Sequence, residues 1–187
     1  MVIRVCFEGG KHKDIRAPIN DSYRRAFRKL FEKPDYIERM DWIPCGGSSN
    51  VDNIFRKYVI SRNERGMSSD DEEILMLKDS DGHDLARLRD DVVRNLPSEI
   101  RDQISRENDI HFMVQEIEAW FIANKYPEKT NPEGIRRPSE WLEDLPGGGY
   151  RKEYAPCWLR HINKDTVSEK CPAFKRFRER LGELGVN

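Results

Sequence analysis

A chain of 187 residues, 37% hydrophobic and 36% charged with a net charge of −1, is long enough for one domain with a real core. Its bulk charge marks neither a nucleic-acid binder nor a membrane-surface protein, although neutrality overall leaves room for a local basic face. No apolar run approaches the roughly eighteen residues of a membrane helix and no signal-peptide pattern opens the chain, so a soluble, cytoplasmic protein is expected.

Taken in order, residues 2–7 read as a first strand, rich in β-branched side chains and closed by Glu8-Gly9-Gly10, where the glycines permit a tight turn. Asn20 or Asp21 can cap a helix over 22–32, with Tyr23, Phe27, Leu30 and Phe31 at helical spacing and Pro34 just beyond. A second strand is expected over 37–43, a loop over 45–50, and a helix over 51–61 that presents Val51, Ile54, Phe55 and Tyr58 on one face. The third strand, 73–78, is an apolar run that leads through Lys78 to Asp79 and Asp81. An amphipathic helix over 84–94 follows, then a charged stretch, 98–108, that can add another. The fourth strand, 110–115, runs into a helix beginning near Glu116-Ile117-Glu118. Beyond 125, Pro127, Pro132, Pro138, Pro146 and Gly147-Gly148-Gly149 break the chain into short pieces before a basic final helix over 173–184.

Strands alternating with helices imply an α/β fold: a mainly parallel sheet flanked by helices on both faces, with an irregular helical C-terminal extension. We divide the chain at 1–125 for the core and 126–187 for the extension packed on it. Parallel strands share one carboxyl edge, where open α/β sheets place their chemistry. Glu8, Asp79, Asp81, Glu116 and Glu118 all fall at or just past expected strand ends. Strand alternation would turn Asp79 and Asp81 toward one point if the extended backbone persists that far. Converging carboxylates repel unless a cation lies between them, and an all-oxygen set suits Mg²⁺. Such a cluster can position a phosphodiester and stabilise its developing charge, with a spare carboxylate as general acid or base. Plainer roles are open for each residue: Asp81 can cap the helix after it, and Glu116 or Glu118 can face solvent in a helix first turn.

A strand ending in Glu8-Gly9 and a later one ending in Asp79-Ser80-Asp81 resembles the Toprim domain of topoisomerases, primases and overcoming-lysogenization-defect nucleases. Residues 114–123, Val-Gln-Glu-Ile-Glu-Ala-Trp-Phe-Ile-Ala, are similar to a signature of small stand-alone Toprim-like proteins. So is the tail, with Tyr150-Arg151-Lys152 and then Cys171-Pro172-Ala173-Phe174. The resemblance implies a Mg²⁺-dependent (or Mn²⁺-dependent) nuclease-like site on a Toprim or Rossmann-like fold. It makes Glu8 a general acid/base or metal ligand and Asp79 and Asp81 metal ligands. Glu116 or Glu118 would complete the metal shell, and Lys152 would contact phosphate. It also implies nucleic acid as substrate and a partner ATPase of the structural-maintenance or ABC type, in phage defence. One departure stands out: where relatives carry an acid or hydroxyl soon after Glu-Gly, this chain has Gly10-Lys11-His12-Lys13-Asp14.

Other readings compete. Asp79-Ser80-Asp81-Gly82 also resembles the nucleophile motif of haloacid-dehalogenase-type Mg²⁺-dependent phosphatases, but that motif follows a first strand and continues into Thr or Val. A calcium loop fails on its glycine position, and Cys157, His161 and Cys171 lack a clear fourth zinc ligand. Cys6 and Cys45 belong to no CxxC pair, so free thiols are expected. His12 and His83 lie near expected strand ends and can assist proton transfer. A non-catalytic interaction subunit remains the alternative, with Trp141, Trp158, Tyr150 and Tyr154 as a docking surface and Lys175, Arg176, Arg178 and Arg180 along a phosphate backbone.

Overall fold

The structure, a computed structural model, describes residues 1–9, 18–31, 39–101, 104, 109–147 and 149–186. The loop 10–14, with His12, therefore lies outside the described residues, as do Pro34, the first two residues of the expected second strand and most of 102–108. The chain runs β1 (Val2–Phe7), α1 (Pro18–Phe31), β2 (Met40–Pro44), α2 (Ser48–Glu64) and β3 (Glu72–Asp79). It continues through α3 (Leu85–Arg94), α4 (Ser98–Arg101), β4 (Ile110–Met113) and α5 (Glu118–Lys125). Four more helices close it: α6 (Pro138–Glu143), α7 (Ala155–Leu159), α8 (Lys164–Lys170) and α9 (Pro172–Glu183).

The four strands form one parallel sheet in the order β2-β1-β3-β4. The step from β1 to β2 goes one way across the sheet; the steps to β3 and β4 go the other. With crossovers of a single hand, that reversal puts the first helix on one face and the next helices on the opposite face. The apolar side chains divide accordingly. Ile3, Val5, Phe7, Trp42, Leu75 and Leu77 pack with α1, whereas Cys6, Ile74, Met76, Ile110 and Phe112 pack with α2, α3 and α4 through Val51, Phe55, Val92 and Ile100. β3 has a neighbour on each side and is covered on both faces, which accounts for its near-continuous apolar run.

Helices α5 to α9 complete the layer begun by α1. Phe27 stacks on Trp42 with ring centroids 4.7 Å apart; Phe31 meets Phe177 of α9 edge-on at 5.3 Å, and Trp120 of α5 meets Phe174 at 4.8 Å. The segment after residue 125 therefore shares one core with the sheet.

Several boundaries differ from expectation. α1 opens at Pro18, a residue suited to a first helical turn, so Asn20 and Asp21 lie inside the helix rather than at its cap. α2 begins at Ser48 and reaches Glu64, because its first turn is polar and carries no apolar periodicity to read. β4 stops at Met113, and residues 114–117 form a turn.

Phe177→Ala is expected to lower stability by about 3–5 kcal/mol. Urea unfolding should show one transition at a reduced midpoint. A second, unshifted transition for the sheet would mean that the C-terminal helices fold as a separate body.

Candidate functional site

The order β2-β1-β3-β4 reverses at β1, and the crevice between the carboxyl ends of β1 and β3 is where such sheets receive ligands. Glu8 is the first residue past β1, and Asp79 is the last of β3. The Glu8 N–H donates to Leu77 O at 2.9 Å, which carries the ladder one residue beyond the strand. The Asp79 N–H in turn donates to Glu8 Oε2 at 3.3 Å. Asp79 Oδ1 is buried and has no hydrogen-bond partner among the described residues.

Asp81 reaches the site by another route. Strand geometry ends at Asp79, and Asp81 has a left-handed backbone with φ 48°, so a turn rather than strand alternation delivers it. Ser80, 2% exposed, points the other way. Its hydroxyl accepts from the Gln115 N–H at 2.8 Å and its own N–H donates to Met113 O at 3.0 Å, while the Asp81 N–H donates to Gln115 O at 2.9 Å. These bonds tie the ends of β3 and β4 together. Asp84, not Asp81, caps α3 by accepting from the Arg87 N–H, so Asp81 is left exposed at the crevice.

Glu116 and Glu118 come from the turn after β4 and the start of α5, and neither is a solvent-facing first-turn acid. Glu116 accepts from the Ser139 N–H at 2.8 Å and from the Ser139 hydroxyl at 3.0 Å, one oxygen each. Lys152 Nζ lies 3.5 Å from Glu116 Oε1. Glu118 is 2% exposed and accepts from the Tyr150 hydroxyl. On the opposite side, Lys78 is buried on the α2 face and holds both oxygens of Asp52 at 2.8 Å.

The charges report on one another. Burial, and then the charges of Glu8, Glu118, Asp81 and Glu116, push the Asp79 carboxyl well above its ordinary range. Burial and then Asp81 push Glu8 up to about 7, against the opposing pull of Lys78 and the Asp79 N–H. Burial chiefly raises Glu118, with the Tyr150 hydrogen bond opposing it. Burial works against the Lys152 proton, but Glu118, Glu116 and Asp79 outweigh it and raise the pKa. Burial and then the charges of Glu118 and Asp79 raise Tyr23 of α1. All six sequence-derived site residues thus interact at one end of the sheet. Sequence reasoning missed Tyr23, Ser80 and Ser139, and gave Tyr150 no role toward Glu118. Only the Lys78–Asp52 pair had a signal, since a lysine in an apolar strand has to find a counter-charge.

An oxygen-seeking cation suits this set. The donors are all carboxylate oxygens, one is buried without a hydrogen-bond partner among the described residues, and a cation would restore the charged form that burial disfavours. Among the described residues no three His, Cys, Asp or Glu side chains are already gathered for a metal. Mg²⁺ commonly takes one or two carboxylates and keeps its waters, a demand that Glu8 and Asp79 can meet. Glu116, held by Ser139 and Lys152, and Glu118, held by Tyr150, stand behind that pair in this arrangement. His83 is exposed, Cys171 is buried and Cys157 is exposed, and all four cysteines are free.

No family model matches this chain, nor does any curated protein or solved structure. No helix among the described residues is long and apolar enough to cross a membrane.

The folded chain holds Glu8 near 7 and the unfolded chain near its ordinary 4.5, so the folded state carries the extra proton between those values. Metal-free stability should therefore fall as pH rises through that window. Asp79→Asn, which removes a charge held at a cost, should raise the thermal midpoint by about 2–8 °C near pH 8 in the presence of a chelator. A lowered midpoint would contradict the assignment. Tyr150→Phe strands a buried oxygen of Glu118 and is expected to cost about 1–3 kcal/mol in denaturant unfolding.

Proposed function

We propose that this protein is a Mg²⁺-dependent hydrolase that cleaves phosphodiester bonds of nucleic acid. One observation carries the reading. Glu8 and Asp79 meet at the switch point of a parallel sheet, with a buried Asp79 oxygen that has no hydrogen-bond partner among the described residues. Glu8 and Asp79 would hold the ion, with Asp81 at the exposed rim. When bound, the ion supplies charge neutralisation to a phosphoryl group and its leaving oxygen.

The chain's own residues divide the remaining work. Glu8, pushed up to about 7 by burial and Asp81 in the metal-free protein, would give up its proton on taking the ion and serve as a charged ligand. Lys152 keeps its proton and offers a positive charge beside the carboxylates, where it can meet a phosphate. Ser139 orients Glu116, which orients Lys152. Glu118 and Tyr150 close the back of the site with a buried hydrogen bond. The Toprim resemblance extends the proposal to phage defence alongside an ATPase of the structural-maintenance or ABC type.

Calorimetric titration of Mg²⁺ and Mn²⁺ should show binding to the wild type and its loss in Asp79→Ala/Asp81→Ala. Cleavage of single- and double-stranded DNA and RNA, assayed with the same preparations, should fall at least ~100-fold in the double variant. Metal binding with no cleavage of any substrate, even with a partner ATPase added, would overturn hydrolysis. Absence of metal binding in the wild type would replace the reading with that of a non-catalytic interaction subunit.

A further inference from the structure

Among the described residues, the non-glycine positions with a left-handed backbone are Asp81, Gln115 and Arg137, at φ 48°, 66° and 53°. All three line one cleft of about 610 Å³. Side chains rarely adopt this conformation, and where they do, the surrounding structure has to hold them. Here it does. The Asp81 N–H donates to Gln115 O, the Gln115 N–H donates to the Ser80 hydroxyl, and Arg137 is set by the start of α6. Three such residues from three separate segments converging on one cavity mark it as a built feature.

The chemistry of the cleft differs from that of the carboxylate pair it adjoins. It shares Asp81 and Glu116 with the acid cluster, so an occupant lies directly beside the proposed scissile position. It adds Arg136 and Arg137, the cationic groups that a polyanion needs in order to approach a negative site, together with His83 and Glu140. Arg137 Nη1 pairs with Glu140 at 2.8 Å, but both side chains are more than half exposed and such a pair is weak. Arg136 is exposed. The Gln115 carboxamide lines the cleft as well. A Cβ at Gly82 would come within 3.1 Å of Gln115 Oε1, so glycine leaves room for that amide. Two guanidinium groups and an amide in one cleft suit a phosphate and its attached sugar or base, and the volume is in the range of small-molecule sites.

We propose that this cleft binds the nucleotide next to the scissile phosphodiester, with Arg136 and Arg137 on the flanking phosphate and Gln115 on its sugar or base. The inference rests on the nucleic-acid reading above and narrows it: the substrate is a polynucleotide strand rather than a phosphomonoester.

Binding of a fluorescein-labelled single-stranded 12-nucleotide DNA, followed by anisotropy in the Asp79→Asn background, separates this inference from hydrolysis because no turnover is required. Arg136→Glu should weaken binding at least about tenfold. Arg136→Ala should reduce the slope of log affinity against log salt by about 0.7, the value for one lost phosphate contact on a single strand. Arg136→Lys should retain most of the affinity, and Arg94→Ala, at the far end of α3, should retain all of it. Thermal melts of each variant show whether the fold is intact. Unchanged affinity and salt slope in folded Arg136→Glu, or no DNA binding by the Asp79→Asn parent, would overturn the inference. DNA binding with this Arg136 dependence but no cleavage by the wild-type protein would sustain the cleft and sink the hydrolytic reading. Cleavage with unaltered affinity in Arg136→Glu would do the reverse.

Discussion

The carboxylate pair at the heart of the carboxyl edge is joined by one contact, the Asp79 N–H donating to a Glu8 oxygen across the β1–β3 junction. The two residues are far apart in sequence and are brought together by strand pairing, with Phe7 in register with Leu77. That pairing exists because β3 returns to the opposite side of β1 from β2, which opens the crevice in the first place. Two carboxylates at such a point repel and are partly desolvated, so the fold holds them there against their own electrostatics. The surrounding apparatus counters this. The Ser80 latch fixes the end of β3, the Lys78–Asp52 pair brings a positive charge within reach of Glu8, and Lys152 brings one within reach of Asp79.

The helices after β4 build the wall on the Asp79 side. Asp79 follows Leu75 and Leu77 in strand alternation and therefore faces the layer of α1 and α5 to α9. That layer contributes Tyr23 from α1, Glu118 from α5, Ser139 from α6, and Tyr150 and Lys152 from the segment before α7. The aromatic stack from Phe27 through Trp42 to Phe177 anchors the same helices to the sheet. Packing and site are thus coupled. A loosening of α9 would be transmitted through the shared core to the residues that hold Lys152 and Glu118.

The strands and their carboxyl-end acids were legible in the sequence because buried parallel strands leave an unmistakable signal: the apolar run of residues 74–77 stops at a charge. The side from which each acid approaches was not. Asp81 belongs by spacing to an extended chain, yet a left-handed turn carries it, and the backbone bonds to Gln115 that stabilise this turn come from a distant segment. Ser139 and Tyr150 were unreadable as partners for the opposite reason. They lie in proline- and glycine-broken sequence without periodicity, and only the packing of α6 and α7 decides which polar groups face Glu116 and Glu118. Asp84 shows how near the margin such readings sit: it takes the cap role that spacing had also allowed Asp81.

The same electrostatics link fold to proposed function. Carboxyls held above their ordinary range favour the protonated form, so Glu8 and Asp79 contribute most to the stability of the metal-free protein where the site is least ready to bind a cation. Under the proposed reading, a bound cation reverses this balance, since it favours the charged carboxylates and displaces their protons. Rising pH then weakens the empty fold and strengthens the loaded one, through the same two side chains. The neighbouring cleft follows a parallel logic. Its left-handed residues oppose backbone preference, just as Glu8 and Asp79 oppose solvation, and both are kept by hydrogen bonds that run between segments. Two independent costs, electrostatic and conformational, are thus carried by adjoining parts of one edge of the sheet.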